Sequence, residues 1–337
     1  GEPRGSVLGL CLLLLVVLVG VAGAEEDLGT AVHFTPQIAA GAQLQEPFEL
    51  KRKHVDTFWT KGHVLLRKFV SPETIAAYRP FVVDTVNEHK HIHELHDANV
   101  NPLRGQDEDL VMQFHRVYNL WEKNPKLFEF TMSKRFAKLA ADLLQVDAVR
   151  LYEDQSFFKE HSTTHAETVW HDDVVSCPMG GREFLTIWVP LHNISKAMGT
   201  MTFASYSHKD KGHLKLPPEL RFDEERIAKR GFPLTSYGAM AAGDITVHHG
   251  FTLHSAPPNM DPKRRVREAV AIQFFADGTK LKGAKELRDL DPSDEPTTKR
   301  WLPRFAPEQV ARCPELPLAY VRPTDEKMPV SKMKDEL

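Results

Sequence analysis

The chain has 337 residues, 42% of them hydrophobic and 26% charged, which is enough apolar chain for one large domain or two small ones with a real core. Its formal net charge of −3 excludes a general electrostatic pull toward nucleic acid or an acidic membrane surface, so no nucleic-acid partner is expected. One local basic run, Lys263-Arg264-Arg265-Val266-Arg267, stands apart from that balance.

Residues 1–24 read as a signal peptide outside the fold. Arg4 supplies a thin positive flank, Val7 to Val19 is nearly all Leu and Val, and Ala22-Gly23-Ala24 has the small-x-small form of a cleavage site. The apolar run is short for a transmembrane span, so no stable membrane insertion is expected; an uncleaved anchor is the alternative. Residues 25–60 are polar with Gly and Ala and read as a loose N-terminal lead. A single domain is then expected over 61–320, with a helical part at 61–147, a jelly-roll core at 148–278 and an irregular wrap at 279–320.

Within the helical part, Val64, Leu65 and Leu66 form a short strand, and Ser71-Pro72-Glu73 opens a helix with a cap and a proline at its first turn. Asn124-Pro125 repeats that device. Ser133 caps a further helix in which Phe136, Leu139, Ala140, Leu143 and Leu144 recur at helical spacing. Between these helices, His89, His91, His93 and His96 crowd together; without a cysteine or carboxylate framework they read as a solvated helix end or loop rather than a zinc site. After residue 148 come short β-rich runs, Val149–Phe158, Phe184–Leu191, Thr200–Ala204, Ile245–His249 and Ala269–Phe275, separated by Gly, Pro, Ser and Asn clusters. The fold class is therefore mainly β, a jelly roll (double-stranded β-helix) with flanking N-terminal α-helices.

The tail 321–337 ends Lys334-Asp335-Glu336-Leu337, the KDEL retrieval address. With the signal, it predicts residence in the lumen of the endoplasmic reticulum and a retrieval receptor as partner. Of three cysteines, Cys11 would leave with the signal, and Cys177 and Cys313 either pair or stay free thiols. Asn193-Ile194-Ser195 is an N-glycosylation sequon.

The chemistry concentrates in Trp170-His171-Asp172-Asp173. In an extended strand residues two apart share a side, so His171 and Asp173 can offer an imidazole and a carboxylate to one metal while Asp172 points away. A further histidine waits downstream among His248, His249 and His254. Two histidines and one carboxylate form the facial triad that holds iron(II) and leaves coordination positions open for an oxygen-using reaction. A keto-acid cosubstrate such as 2-oxoglutarate then needs a cation for its far carboxylate, and a guanidinium supplies two parallel hydrogen bonds without losing its charge. Arg265 and Arg267 have the same strand parity ahead of the run Ala269–Phe275, and spacing leaves both open.

From Gly62 to about residue 278 the chain resembles the phytanoyl-CoA dioxygenase family. The likeness is carried by Gly62–Ser71, Tyr118-Asn119-Leu120-Trp121, Leu143-Leu144, Val149–Gln155, Lys159, Trp170–Asp173, Thr186–Leu191, Ser207-His208 and the run from Gly243-Asp244 through His254 to Asn259. The resemblance implies an iron(II)- and 2-oxoglutarate-dependent dioxygenase that uses O2, is supported by ascorbate, hydroxylates a small-molecule or lipid-like substrate and releases succinate and CO2. It implies His171, Asp173 and His254 as metal ligands, His254 being the histidine before the Pro-Asn turn. Counting back from the aromatic end of the last strand favours Arg267 for the cosubstrate, and counting forward from Asn259 favours Arg265. Trp188, Gln155 and Lys159 are further candidates to line the cosubstrate or substrate pocket, with core packing the plainer alternative for Trp188. Departures cluster where the substrate would enter: Val174–Pro178 in place of an aromatic pair, His161-Ser162 in place of Pro-Gly, and Tyr206 where the family has Gly. A lumenal peptide hydroxylase and a non-catalytic metal-binding jelly roll are the alternative readings.

Overall fold

The computed structural model describes residues 38–96, 114–161, 167–210, 224–290 and 294–328, without the side chains of 91–96, 226 and 295. The expected signal peptide, Ser162 and the terminal Lys334–Leu337 lie outside the described residues. Twelve strands are described: β1 (His63–Leu66), β2 (Phe114–His115), β3 (Ala148–Ser156), β4 (Phe158–Lys159), β5 (Thr168–His171), β6 (Phe184–Pro190), β7 (Thr202–Ala204), β8 (Leu234–Ser236), β9 (Ile245–His249), β10 (His254–Ala256), β11 (Ala269–Ala276) and β12 (Leu318–Val321).

Ten of them form the two facing sheets of a jelly roll, and β2 pairs with β4 in a separate two-stranded ribbon. The larger has the order β1-β9-β6-β11-β3-β12, the smaller β5-β10-β7-β8, and every pairing is antiparallel. The large sheet is covered on both faces, which is why β6, β9 and β11 read as unbroken apolar runs rather than as alternating ones. On its outer face Val64, Val247, Ile187 and Ile272 join one core with Phe136, Leu139, Ala140 and Leu143 of the helix Lys134–Leu144. On its inner face the register sets His63, His248, Thr186, Gln273 and Glu153 side by side across five strands. A polar row in a barrel interior is costly to bury, and here it lies alongside the site.

The structure differs from the sequence reading in three places. Residues 38–60 are not a loose lead: helices occupy 38–45 and Arg52–Lys61. The second of these buries Val55 and Phe58 and ends at Gly62, whose φ of +85° and close approach to Thr252 and His208 leave no room for a Cβ. The helix Pro72–His96 runs through Pro80 and carries the histidine cluster at its C-terminal end, the helix-end alternative of the sequence reading; there the Nδ1 of His89 meets the Thr85 carbonyl. The segment 279–320 is more than a wrap: Trp301 is fully buried and β12 extends the large sheet beside β3. Strand β5 stops at His171, and Asp173 opens a 3₁₀ turn, Asp173–Val175, held by backbone N–H groups of Asp173 and Val174 on the Gly250 carbonyl. Cys177 and Cys313 are both free thiols, and Asn193 is exposed.

Candidate metal centre

Three side chains meet at the mouth between the sheets. His171 closes β5 and His254 opens β10, and the two are direct register partners, so both imidazoles leave the small sheet on the same side. The turn at Asp173 then returns its carboxylate toward them. The Nε2 atoms of His171 and His254 each lie 3.7 Å from Asp173 Oδ1, and the three ligand atoms fall within 4.8 Å of one another. Among the described residues this is the one such group of His, Cys, Asp and Glu.

Both imidazoles are turned for ligation by their own backbone. His171 Nδ1 donates to the Val169 carbonyl at 2.8 Å and His254 Nδ1 to the Thr252 carbonyl at 2.9 Å, which leaves each Nε2 with its lone pair toward the centre. Burial pushes both histidines below their ordinary pKa, His254 well below, with the neighbouring imidazoles adding to the effect for His254. Burial alone would raise the Asp173 carboxyl, but His254 and His248 beside it outweigh that and hold it well below the usual carboxylate range. Two neutral imidazoles and one ionised carboxylate are the protonation states a divalent cation requires. Asp172 points away, as strand parity demands, and burial raises it to about 7.

Arg267 and Arg265 have contrasting surroundings. Arg265 lies at the surface with half its side chain exposed, paired to Asp261 through Nε at 2.8 Å. Arg267 is fully buried, with no carboxylate among its described partners: NH1 donates to the Gly199 carbonyl, the guanidinium lies 5.7 Å over the Trp188 ring, and Nε has no partner. Burial pulls its pKa down to about 9, yet a guanidinium still carries its proton at neutral pH. A buried, unpaired cation facing an indole fits a ligand anion, so the residues present suit both an iron(II) ion and a carboxylate-bearing cosubstrate.

Lys159 is equally buried. Its backbone pairs with that of Arg267, and its ammonium donates to the Ala256 carbonyl at 3.1 Å and lies 5.1 Å over the Phe114 ring. Burial, and then Arg267, force its pKa well down. Gln155 sits on the inner face of β3, where its oxygen accepts from Arg116 Nε and NH2 at 3.0 and 2.6 Å and its amide donates to Glu153. Asn259 orders the turn after His254: its amide donates to the Lys159 and Arg265 carbonyls. The structure thus brings His171, Asp173 and His254 together, sets Arg267 with Trp188 and Lys159 in one buried patch, ties Gln155 to Arg116 and Glu153, and leaves Arg265 outside. The sequence gives no role to Arg116; it offers His248 as one of three candidate histidines and Thr186 only as a candidate neighbour of the cosubstrate, whereas both donate to Asp173 Oδ2, Thr186 Oγ1 at 2.6 Å and His248 Nε2 at 3.0 Å. Parity puts Thr186 and His248 on inner faces, but only sheet register makes them neighbours.

Residues 58–266 match the family model for phytanoyl-CoA dioxygenase (PhyH). A probable alpha-ketoglutarate-dependent hypophosphite dioxygenase of Stutzerimonas stutzeri is 24% identical over 238 residues, 64% of this chain and 75% of that protein. Among solved structures, the non-haem alpha-ketoglutarate-dependent carbocyclase SnoK from nogalamycin biosynthesis is similar with a TM-score of 0.62 and 21% identity, covering 81% of this chain and 99% of its own. The epimerase SnoN, solved with Fe3+, alpha-ketoglutarate and nogalamycin RO, has a TM-score of 0.52 and 19% identity over 79% of this chain and 97% of its own. At such identities these structures speak for the jelly-roll fold. The family match covers well over half of the chain, and the chain belongs to the phytanoyl-CoA dioxygenase family, and with it to the iron- and 2-oxoglutarate-dependent oxygenases.

Proposed function

We propose that the protein hydroxylates a C–H bond of a small or lipid-like molecule, with His171, Asp173 and His254 holding iron(II) and Arg267 holding 2-oxoglutarate. The convergence of the three ligand atoms carries this reading; the buried guanidinium of Arg267, whose Nε has no partner, supports it. When bound, iron(II) with 2-oxoglutarate supplies oxidation by dioxygen: one oxygen atom enters the substrate as hydroxyl, the other enters succinate, and CO2 leaves.

The chain's own part is positional. The Val169 and Thr252 carbonyls aim two imidazole lone pairs at one point, and Asp173 adds the negative charge that offsets a divalent cation. Arg267 takes the far carboxylate of the cosubstrate as a two-pronged partner; Trp188 shields that pair from water, and Lys159 packs beside it with its side-chain nitrogen held by the Ala256 carbonyl. Retention in the lumen of the endoplasmic reticulum is proposed on sequence alone, from Val7–Ala24 and Lys334–Leu337, and endoglycosidase sensitivity of a glycan on Asn193 would test it.

Purified protein given iron(II), 2-oxoglutarate, ascorbate and oxygen tests the reaction. Succinate release that vanishes in Asp173→Ala is the expected result. Succinate release that survives that substitution overturns the ligand assignment. Stoichiometric metal binding with no succinate from any substrate in a broad panel favours a non-catalytic binding protein.

A further inference from the structure

The two oxygens of Asp173 are used differently. Oδ1 faces the Nε2 atoms of His171 and His254, each at 3.7 Å. Oδ2 accepts from Thr186 Oγ1 at 2.6 Å and from His248 Nε2 at 3.0 Å. A carboxylate oxygen offers two lone pairs, and these two donors fill both on Oδ2.

The donors are fixed from several sides. His248 and Thr186 are register partners on β9 and β6, both buried, so their side chains rise next to each other from the inner face of the large sheet. The His248 ring packs 4.2 Å from the ring of His254 and 5.6 Å from that of Phe203. Its Nδ1 meets no partner, whereas its Nε2 meets an ionised oxygen, so the hydrogen-bond network assigns the ring proton to Nε2. With a proton on that atom and Asp173 in front of it, His248 has no lone pair to give a metal at the triad.

We propose that His248, together with Thr186, is a positioning residue that reserves Asp173 Oδ2 and makes Asp173 a one-oxygen ligand. The inference rests on the metal reading above and adds a requirement to it. A six-coordinate site that accepts a chelating keto acid and dioxygen can give the protein three positions. Two imidazoles and one carboxylate oxygen fill three; a carboxylate gripping through both oxygens would fill a fourth and leave none for dioxygen. The hydrogen bonds on Oδ2 oppose that second grip, and they hold the carboxylate plane in place before metal arrives.

Cobalt(II), which substitutes for iron(II) and reports coordination number in its visible absorption, is the probe. Its affinity is measured by calorimetry and its spectrum recorded for the full chain and for His248→Phe, His248→Gln and Thr186→Val. The expected result is a loss of about 10- to 100-fold in cobalt affinity for His248→Phe and for Thr186→Val, with a spectrum shifted toward higher coordination. His248→Gln keeps an N–H near the position of Nε2 and should restore both affinity and spectrum. Thermal melts of the metal-free variants check folding; should His248→Phe fail to fold, Thr186→Val and His248→Gln still carry the test. Wild-type affinity and spectrum in His248→Phe and Thr186→Val would overturn the proposal, as would loss of one metal–imidazole signal in a pulsed EPR comparison of the copper(II)-loaded His248→Phe protein with wild type. If wild-type protein binds cobalt no better than Asp173→Ala does, the metal reading itself fails, and that outcome is distinct from the others.

Discussion

Replacing Arg267 with methionine should make the protein more stable without cosubstrate and blind to it. The charged form of Arg267 is penalised by burial that lowers its pKa from 12.5 to about 9, which corresponds to ~5 kcal/mol. Against this, its hydrogen bond to the Gly199 carbonyl returns ~2 kcal/mol and its place over Trp188 ~1 kcal/mol. Methionine fills a similar volume with no charge, so the metal-loaded but cosubstrate-free protein should gain ~2 kcal/mol, within the range seen when buried charges give way to apolar groups. In wild-type protein, 2-oxoglutarate at a hundredfold excess over its Kd should add about 2.7 kcal/mol. In Arg267→Met the lost two-pronged charge-assisted contact, ~3–4 kcal/mol, should weaken cosubstrate binding about 100- to 1,000-fold and erase that gain. Urea titrations with and without 2-oxoglutarate, under nitrogen with iron(II), measure both effects. Arg265→Ala is the control and should leave both unchanged, because Arg265 is exposed and paired to Asp261. A normal cosubstrate response in Arg267→Met, or its loss in Arg265→Ala, would refute the assignment.

Three further outcomes follow from the packing. Tyr206 has a φ of +72°, a left-handed conformation that costs an L-residue ~1 kcal/mol, so Tyr206→Gly should stabilise the protein by up to about 1 kcal/mol in urea unfolding. Trp301→Ala should cost about 3–5 kcal/mol, because the fully buried indole anchors the segment 279–320 to the barrel; a loss near zero would show that segment to be a passive covering. Asp154 is fully buried, and burial raises its pKa to about 6 despite hydrogen bonds from Thr131 and the Trp121 N–H. Between pH 4 and 6 the folded protein therefore holds a proton that the unfolded chain has released, so this group's contribution to stability falls by ~3 kcal/mol as pH rises across that window. Asp154→Asn should flatten the corresponding slope of unfolding free energy against pH.

The central strands were legible in sequence because they are buried on both sides. Strands β6, β9 and β11 announce themselves as apolar runs because helices cover one face and the small sheet the other. The His171/Asp173 pair was legible because strand parity and the real path, strand then 3₁₀ turn, both return the carboxylate to the histidine. Strand β10 was not: three residues show no period, and its place follows from pairing with β5 and β7. The helix Arg52–Lys61 was hidden because Val55, Phe58 and Trp59 are its only apolar residues, and Trp59 serves partly through a hydrogen bond to the Leu143 carbonyl. Arg265 and Arg267 share parity, so no pattern along the chain could separate a surface ion pair from a buried unpaired cation; burial does. The grip of Thr186 and His248 on Asp173 depends on which strands lie side by side, and 62 residues separate those two in sequence.

A crystal structure grown without oxygen in manganese(II) and 2-oxoglutarate tests the central claim most directly. One anomalous peak within ~2.2 Å of His171 Nε2, Asp173 Oδ1 and His254 Nε2, with the cosubstrate's far carboxylate against Arg267, is the predicted result. A metal held by other residues, or a cosubstrate lying away from Arg267, would contradict the account.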